Sequence, residues 1–127
     1  MIVADTHSWL WWLGDRRLLS TRALDALSGD TVAISPVTFW EVATLVRRHR
    51  ITLNQPVIDW FRDGIARSST AVVELTLEIG AAAGLLDSDL VRDPADRIIV
   101  ATALHLGVPL VTKDRKIIES GIVPTIW

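Results

Sequence analysis

Five acids, Asp5, Glu41, Asp93, Asp96 and Asp114, are spread over almost the whole of a 127-residue chain. The residues ahead of them suggest that folding gathers them. Asp5 ends the apolar run Ile2-Val3-Ala4, Asp114 closely follows Pro109-Leu110-Val111-Thr112, and Glu41 lies about two helical turns past Thr31-Val32-Ala33-Ile34. In a parallel sheet the carboxyl ends of the strands form the crevice where ligands bind. Carboxylates brought together there repel one another and raise each other's pKa unless a divalent ion neutralises them. Oxygen ligands alone suit Mg²⁺ or Mn²⁺, which can generate hydroxide and stabilise a departing oxygen in phosphodiester cleavage.

Each acid also has an ordinary reading. Asp5, Asp93 and Asp114 stand shortly before helical patterns, where a carboxylate caps free amide groups and complements the dipole, and Asp96 occupies a capping-box-like position three residues after Asp93. Glu41 resists that account. On a helix its i−4 and i+4 neighbours are Val37 and Leu45, so its stripe is apolar and a carboxylate there needs a cation or a metal. Arg97 is the plain alternative partner. Thr6 and Thr112 flank the acid-bearing strand ends, and His7, His49 and His105 are too dispersed for an imidazole-based metal site.

Strand and helix patterns alternate along the chain. Strands are expected at Ile2–Ala4, Thr31–Ile34, Val72–Leu75 and Leu110–Thr112, with Val123–Ile126 as an edge strand. Helices are expected over Ser8–Leu13, from the Ser20 cap through Leu27, from Ser35-Pro36 onward, from Pro56 to Arg67, over Leu77–Leu86, from Asp93-Pro94 to Leu106, and over Arg115–Ser120. Such alternation predicts an α/β fold whose central parallel sheet of four to five strands is flanked by helices in three layers. No repeat or linker interrupts residues 1–127, which read as a single domain.

Half of the residues are hydrophobic and none is cysteine, which excludes disulfides and thiolate metal sites. The start of the chain lacks a signal-peptide pattern, and the long apolar region Ile98–Val111 is broken by His105, Gly107 and Pro109, so a soluble cytoplasmic protein with no membrane association is expected. The formal net charge is −2, but the five acids carry the deficit and the remainder is mildly basic, with Arg47, Arg48 and Arg50 bunched together. An acidic hole in a basic surface suits a metal-dependent enzyme acting on nucleic acid. The six tryptophans read mostly as core, but Trp9, Trp11 and Trp12 exceed what one short helix usually buries. Helical spacing puts Trp9 and Trp12 on one side and Trp11 on another, so Trp11 is the candidate contact for a partner.

Taken in order, Asp5-Thr6, Ser35 through Trp40-Glu41, the run from Asp93-Pro94-Ala95-Asp96-Arg97 to Thr102-Ala103, and Thr112-Lys113-Asp114 resemble the PIN-domain ribonucleases, in particular the VapC-like toxins of toxin-antitoxin pairs. The resemblance spans nearly the whole chain and departs from the pattern at Ala95, where an aromatic often stands. It implies a PIN-like three-layer sandwich and an acidic quartet of Asp5, Glu41, Asp96 and Asp114, with Asp93 as an accessory metal-site acid. It further implies Mg²⁺ or Mn²⁺ dependence, a homodimer, and a cognate antitoxin whose tail enters a groove near the site. The expected function is therefore a metal-dependent endoribonuclease toxin, with Arg47, Arg48, Arg50, Lys113 and Arg115 as contacts to the RNA backbone. Two rivals are a phosphoacceptor receiver module, which wants paired acids after the first strand and an Asp ending a middle strand, and a catalytically inactive protein-binding PIN module. Asp5 standing alone and Ser35 at the end of the second strand disfavour the first; the full set of acids disfavours the second.

Overall fold

The structure, a computed structural model, describes residues 1–127. Its centre is a parallel five-stranded sheet in the order β3-β2-β1-β4-β5. The strands are β1 (Ile2–Ala4), β2 (Val32–Ile34), β3 (Ala71–Val72), β4 (Leu110–Val111) and β5 (Thr125–Ile126). β1 lies in the middle, pairing Val3 with Ala33 of β2 on one side and with Leu110 of β4 on the other. β2 and β3 are thus laid down to one side of β1, and β4 and β5 to the other. Between β1 and β4 the direction of winding reverses, which opens a crevice beyond their carboxyl ends.

The short strands are apolar on both faces because both are covered. Ile2, Ala4, Val32 and Ile34 point into a core shared with Trp9, Trp12, Leu27 and Phe61, from helices α1 (Thr6–Leu13), α2 (Thr21–Gly29) and α4 (Val57–Ser68). Val3, Ala33 and Leu110 point the other way, onto Ile99, Val100 and Ala103 of α6 (Pro94–Leu106) and Ile117 of α7 (Arg115–Ser120). α3 (Val37–Arg47) follows β2 and places Val42 in the first core, while α5 (Leu77–Leu85) lies against α6 through Ile79, Ala83 and Ala101. Gly64 lets α4 approach α1 closely: a Cβ there would come within 2.8 Å of Leu13 Cδ1.

The expected α/β plan, its parallel sheet and its flanking helices are all present, with local corrections. α1 begins at Thr6, two residues before the expected Ser8, because the Asp5 carboxylate already accepts the Ser8 amide and closes the first turn. The third strand is Ala71–Val72 rather than Val72–Leu75: its partner β2 ends at Ile34, and after Val73 donates to the Ile34 carbonyl no further backbone remains to pair with. The last strand shortens likewise from Val123–Ile126 to Thr125–Ile126. A 3-10 turn at Arg16–Leu18, capped by Asp15, was not anticipated. Among the tryptophans only Trp9 and Trp12 are buried; Trp40 is 64% exposed and is not core.

Candidate metal centre

Each acid is delivered by an element whose start or interior is locally determined. Asp5 leaves β1 and caps α1, its Oδ1 accepting the Ser8 amide at 2.8 Å. Asp114 leaves β4 and caps α7, its Oδ1 accepting the amides of Lys116 and Ile117. The turn into Asp114 is fixed by buried Thr112, whose Oγ1 accepts the Asp114 amide at 3.0 Å. Asp93 caps α6 by accepting the Asp96 amide at 3.0 Å, with Pro94 at the first helical position, where no amide is needed. Capping uses one oxygen of each of these side chains.

All five acids line one pocket of about 510 Å³, together with Thr6, His7, Trp11 and Lys113. Within it, Glu41, Asp93 and Asp96 each place a carboxylate oxygen within 4.8 Å of the others. The closest group therefore includes Asp93, expected only as an accessory, while Asp5 and Asp114 stand at the walls. Asp93 is at once a helix cap and a member of the cluster. None of the five is in an ion pair; the ion pairs in the molecule involve Asp15, Asp30 and Glu119.

The electrostatic cost of this clustering appears at two of the partly buried acids, Asp96 and Glu41. Asp96 has its pKa pushed up to about 7, by burial first and then by the negative charges of Asp93, Glu41, Asp114 and Asp5. Burial also raises Glu41, with Asp93 and Asp5 adding to the effect and a hydrogen bond from Thr6 opposing it. Arg97 does not relieve Glu41. Its guanidinium is spent on the carbonyls of Ala83, Gly84, Leu86 and Val91, where it ties the end of α5 and the following loop to α6.

What holds Glu41 is instead a pair of buried hydroxyls. Thr6 Oγ1 donates to Glu41 Oε1 at 2.5 Å and lies 3.1 Å from Thr38 Oγ1, one turn earlier on α3. Thr6 has one proton, so if it goes to the carboxylate the Thr38 hydroxyl donates to Thr6. The chain Thr38–Thr6–Glu41 fixes the carboxylate rotamer before any ion arrives, as hydrogen-bonded partners of metal ligands do. Thr6→Val is therefore expected to weaken Mn²⁺ binding by about 10–100-fold in calorimetric titration, with Thr6→Ser close to the parent. An unchanged affinity in Thr6→Val would remove this role.

The donor set fits a hard divalent cation. It is all oxygen, acidic in excess and partly buried, and none of its carboxylates is in an ion pair. Of the basic residues proposed for RNA, Lys113 lines the acidic pocket and Arg50 lines an adjoining hollow. Arg115 forms a loose 3.9 Å pair with Glu119 in a small hollow beside Lys113 and Trp127. Arg47 and Arg48 are exposed at the end of α3 and line neither space. Sequence reasoning placed His7 in no site and gave Thr38 no role of its own. His7 follows Thr6 directly and is exposed on the pocket rim; Thr38 lies one helical turn before Glu41, a spacing that was the only signal available.

The family model for the PIN domain matches residues 2–121. Ribonuclease VapC22 of Mycobacterium tuberculosis is 36% identical over 117 residues, covering 91% of this chain and 88% of that protein. Among solved structures, a toxin-antitoxin complex from Klebsiella pneumoniae has a chain that superposes with a TM-score of 0.63 at 23% identity, covering 90% of this chain and 87% of its own. VapBC2 from Rickettsia felis, bound to a promoter DNA fragment, has one with a TM-score of 0.68 at 16% identity, covering 98% and 97%. At those identities the superpositions speak for the fold.

Proposed function

Because the chain belongs to the PIN domain family, we propose that it is a metal-dependent endoribonuclease and the toxin of a toxin-antitoxin pair. The single observation that supports this most is the convergence of Asp5, Glu41, the Asp93 and Asp96 pair at the start of α6, and Asp114 from four separate places in the chain onto one pocket in which none of them forms an ion pair. Glu41, Asp93 and Asp96 would hold the ion, Mg²⁺ or Mn²⁺, with Asp5 and Asp114 completing the acidic wall. When bound there, such an ion supplies a water of lowered pKa and positive charge for the phosphate oxygens.

The rest is the work of the chain's own groups. Thr6 and Thr38 keep Glu41 oriented, and the α1, α6 and α7 caps keep Asp5, Asp93 and Asp114 at fixed helix starts. Lys113, on the pocket wall, contacts the RNA backbone, and Arg50 extends the positive track into the hollow beyond His7 and Trp11. The antitoxin would occupy that same hollow, where Leu10, Leu13 and Trp60 offer apolar contacts, and so cover the approach to the acids. A homodimer fits the exposed leucines of α5, Leu77 and Leu85, at 82% and 87% exposure. No helix is long and apolar enough to cross a membrane, and the proposed place of action is the cytoplasm, where the RNA is.

Removing the ion tests the reading. Purified protein freed of its antitoxin is expected to cleave RNA with Mg²⁺ or Mn²⁺, to stop when the metal is chelated, and to resume when it is restored, with sequencing of the cleaved ends giving the sites. Cleavage that persists undiminished under chelation would contradict it.

A further inference from the structure

Trp11 is the one hydrophobic residue among the nine that line the acidic pocket, and holding an ion does not explain an indole there. Trp9 and Trp12 are buried in the core, while Trp11 is half-buried, packs against the edge of that core and borders both the acidic pocket and a larger hollow of about 1140 Å³. Its neighbours hold it in place. His7, one turn earlier on α1, has its ring 5.7 Å away, and Trp127 stands 6.0 Å away on the other chain end. Lys113 Nζ sits 5.7 Å from the indole centroid, toward the far limit of a cation–π contact, and makes no ion pair. Carboxylates, a lysine and an indole thus line one pocket, the three kinds of group that an ion, a phosphate and a base would meet.

We infer that Trp11, flanked by His7 and Lys113, is a subsite that stacks an unpaired nucleobase next to the phosphodiester held at the acids. The inference rests on the ribonuclease reading above and assigns to it a residue that positions the substrate. An A-form duplex keeps its bases stacked inside and offers side chains a major groove too narrow to read, whereas a splayed base stacks readily on an aromatic ring. Because Trp11 is already ordered by its neighbours, stacking costs it little rotamer freedom. Beyond the indole, Asn54, Gln55 and Arg50 line the hollow and can meet base edges. A protein segment is the other occupant to weigh. A peptide cation aimed at the acids would meet Lys113 and His7 at this wall, while a nucleotide brings a phosphate to Lys113 and a π face to Trp11.

The test is a double-mutant cycle between protein and RNA. Single-turnover cleavage of an unstructured oligoribonucleotide with Mn²⁺ is measured for the parent, Trp11→Ala and Trp11→Phe, each with the intact oligonucleotide and with single abasic positions around the cleaved bond. Trp11→Ala is expected to lower kcat/KM by about 10–100-fold, Trp11→Phe much less, with Mn²⁺ affinity unchanged and the protein still folded at the assay temperature despite a lowered thermal midpoint. One abasic position should reduce cleavage by the parent to the same extent and add nothing in Trp11→Ala. Equal cleavage by parent and Trp11→Ala, or losses that simply add at every position, would overturn the subsite while leaving the ribonuclease reading intact. So would a Trp11→Ala variant that loses only antitoxin affinity, which would make the indole a protein contact. A parent chain that binds Mn²⁺ and cleaves no RNA would overturn the ribonuclease reading itself, and the subsite with it.

Discussion

Asp96→Asn is expected to abolish RNA cleavage and, in the same protein without metal, to raise stability above neutral pH. Both effects come from one carboxylate. Asparagine keeps the shape of aspartate but is a poor ligand, and since even the hydrogen-bonded partners of metal ligands cost about 10–100-fold when removed, loss of a ligand should cost more. In the metal-free protein the sign reverses. The carboxyl of Asp96 is pushed up to about 7 in the folded protein, from an ordinary value of 3.8, because the site is partly dry and crowded by Asp93, Glu41, Asp114 and Asp5. Folding therefore favours the protonated acid. Its contribution is fully present below the unfolded pKa, is eroded as pH rises, and is lost once pH passes the folded value near 7. Denaturant unfolding of metal-free parent should accordingly weaken from pH 5 to pH 8, while Asp96→Asn should show a flatter profile and be the more stable of the two at pH 8. Adding Mn²⁺ should reverse that order, since binding to the folded parent stabilises it by mass action. A parent profile that is flat between pH 5 and pH 8 without metal would mean that the charge is dispersed some other way.

Much of the candidate site was legible because the acids gathered there also obey local rules. Asp5, Asp93 and Asp114 announce themselves as caps before helical patterns, and the apolar runs ahead of Asp5 and Asp114 place them at strand ends. Glu41 announces itself by breaking a rule, as a carboxylate in an apolar stripe. What a single chain cannot display is distance. That Asp93 rather than Asp5 or Asp114 joins Glu41 and Asp96 in the tightest group depends on how α6 leans against α3. The hydroxyl chain to Glu41 joins Thr6 and Thr38, 32 residues apart, neither of which departs from its local pattern. The strand boundaries at β3 and β5 failed for a related reason, since a strand stops where its partner stops, and Val73 to Leu75 continue an apolar pattern past the end of β2.

Trp9→Ala is expected to cost about 3–5 kcal/mol, a large part of the roughly 5–15 kcal/mol that holds a domain of this size together. Trp9 is fully buried, between α1, α4 and the sheet, with Phe39 and Trp60 edge-on at 6.2 and 5.8 Å. Its ring also lies 3.6 Å from where a Cβ would stand on Gly64, so the helices are already too close to collapse further into the space it leaves. The loss is polar as well as apolar: Trp9 Nε1 donates to the Thr70 hydroxyl at 3.0 Å, and truncation strips that buried group of its donor. Trp12, 7% exposed, provides the control, because its Nε1 is buried with no hydrogen-bond partner. Replacing each ring by phenylalanine separates the two contributions. Trp9→Phe loses a satisfied hydrogen bond together with ring volume, whereas Trp12→Phe loses volume but also relieves an unsatisfied N–H, a group that costs about 1–3 kcal/mol to bury. Denaturation midpoints should thus fall clearly further for Trp9→Phe than for Trp12→Phe. Equal losses would show that ring volume alone governs both positions and that the Trp9–Thr70 bond contributes nothing net.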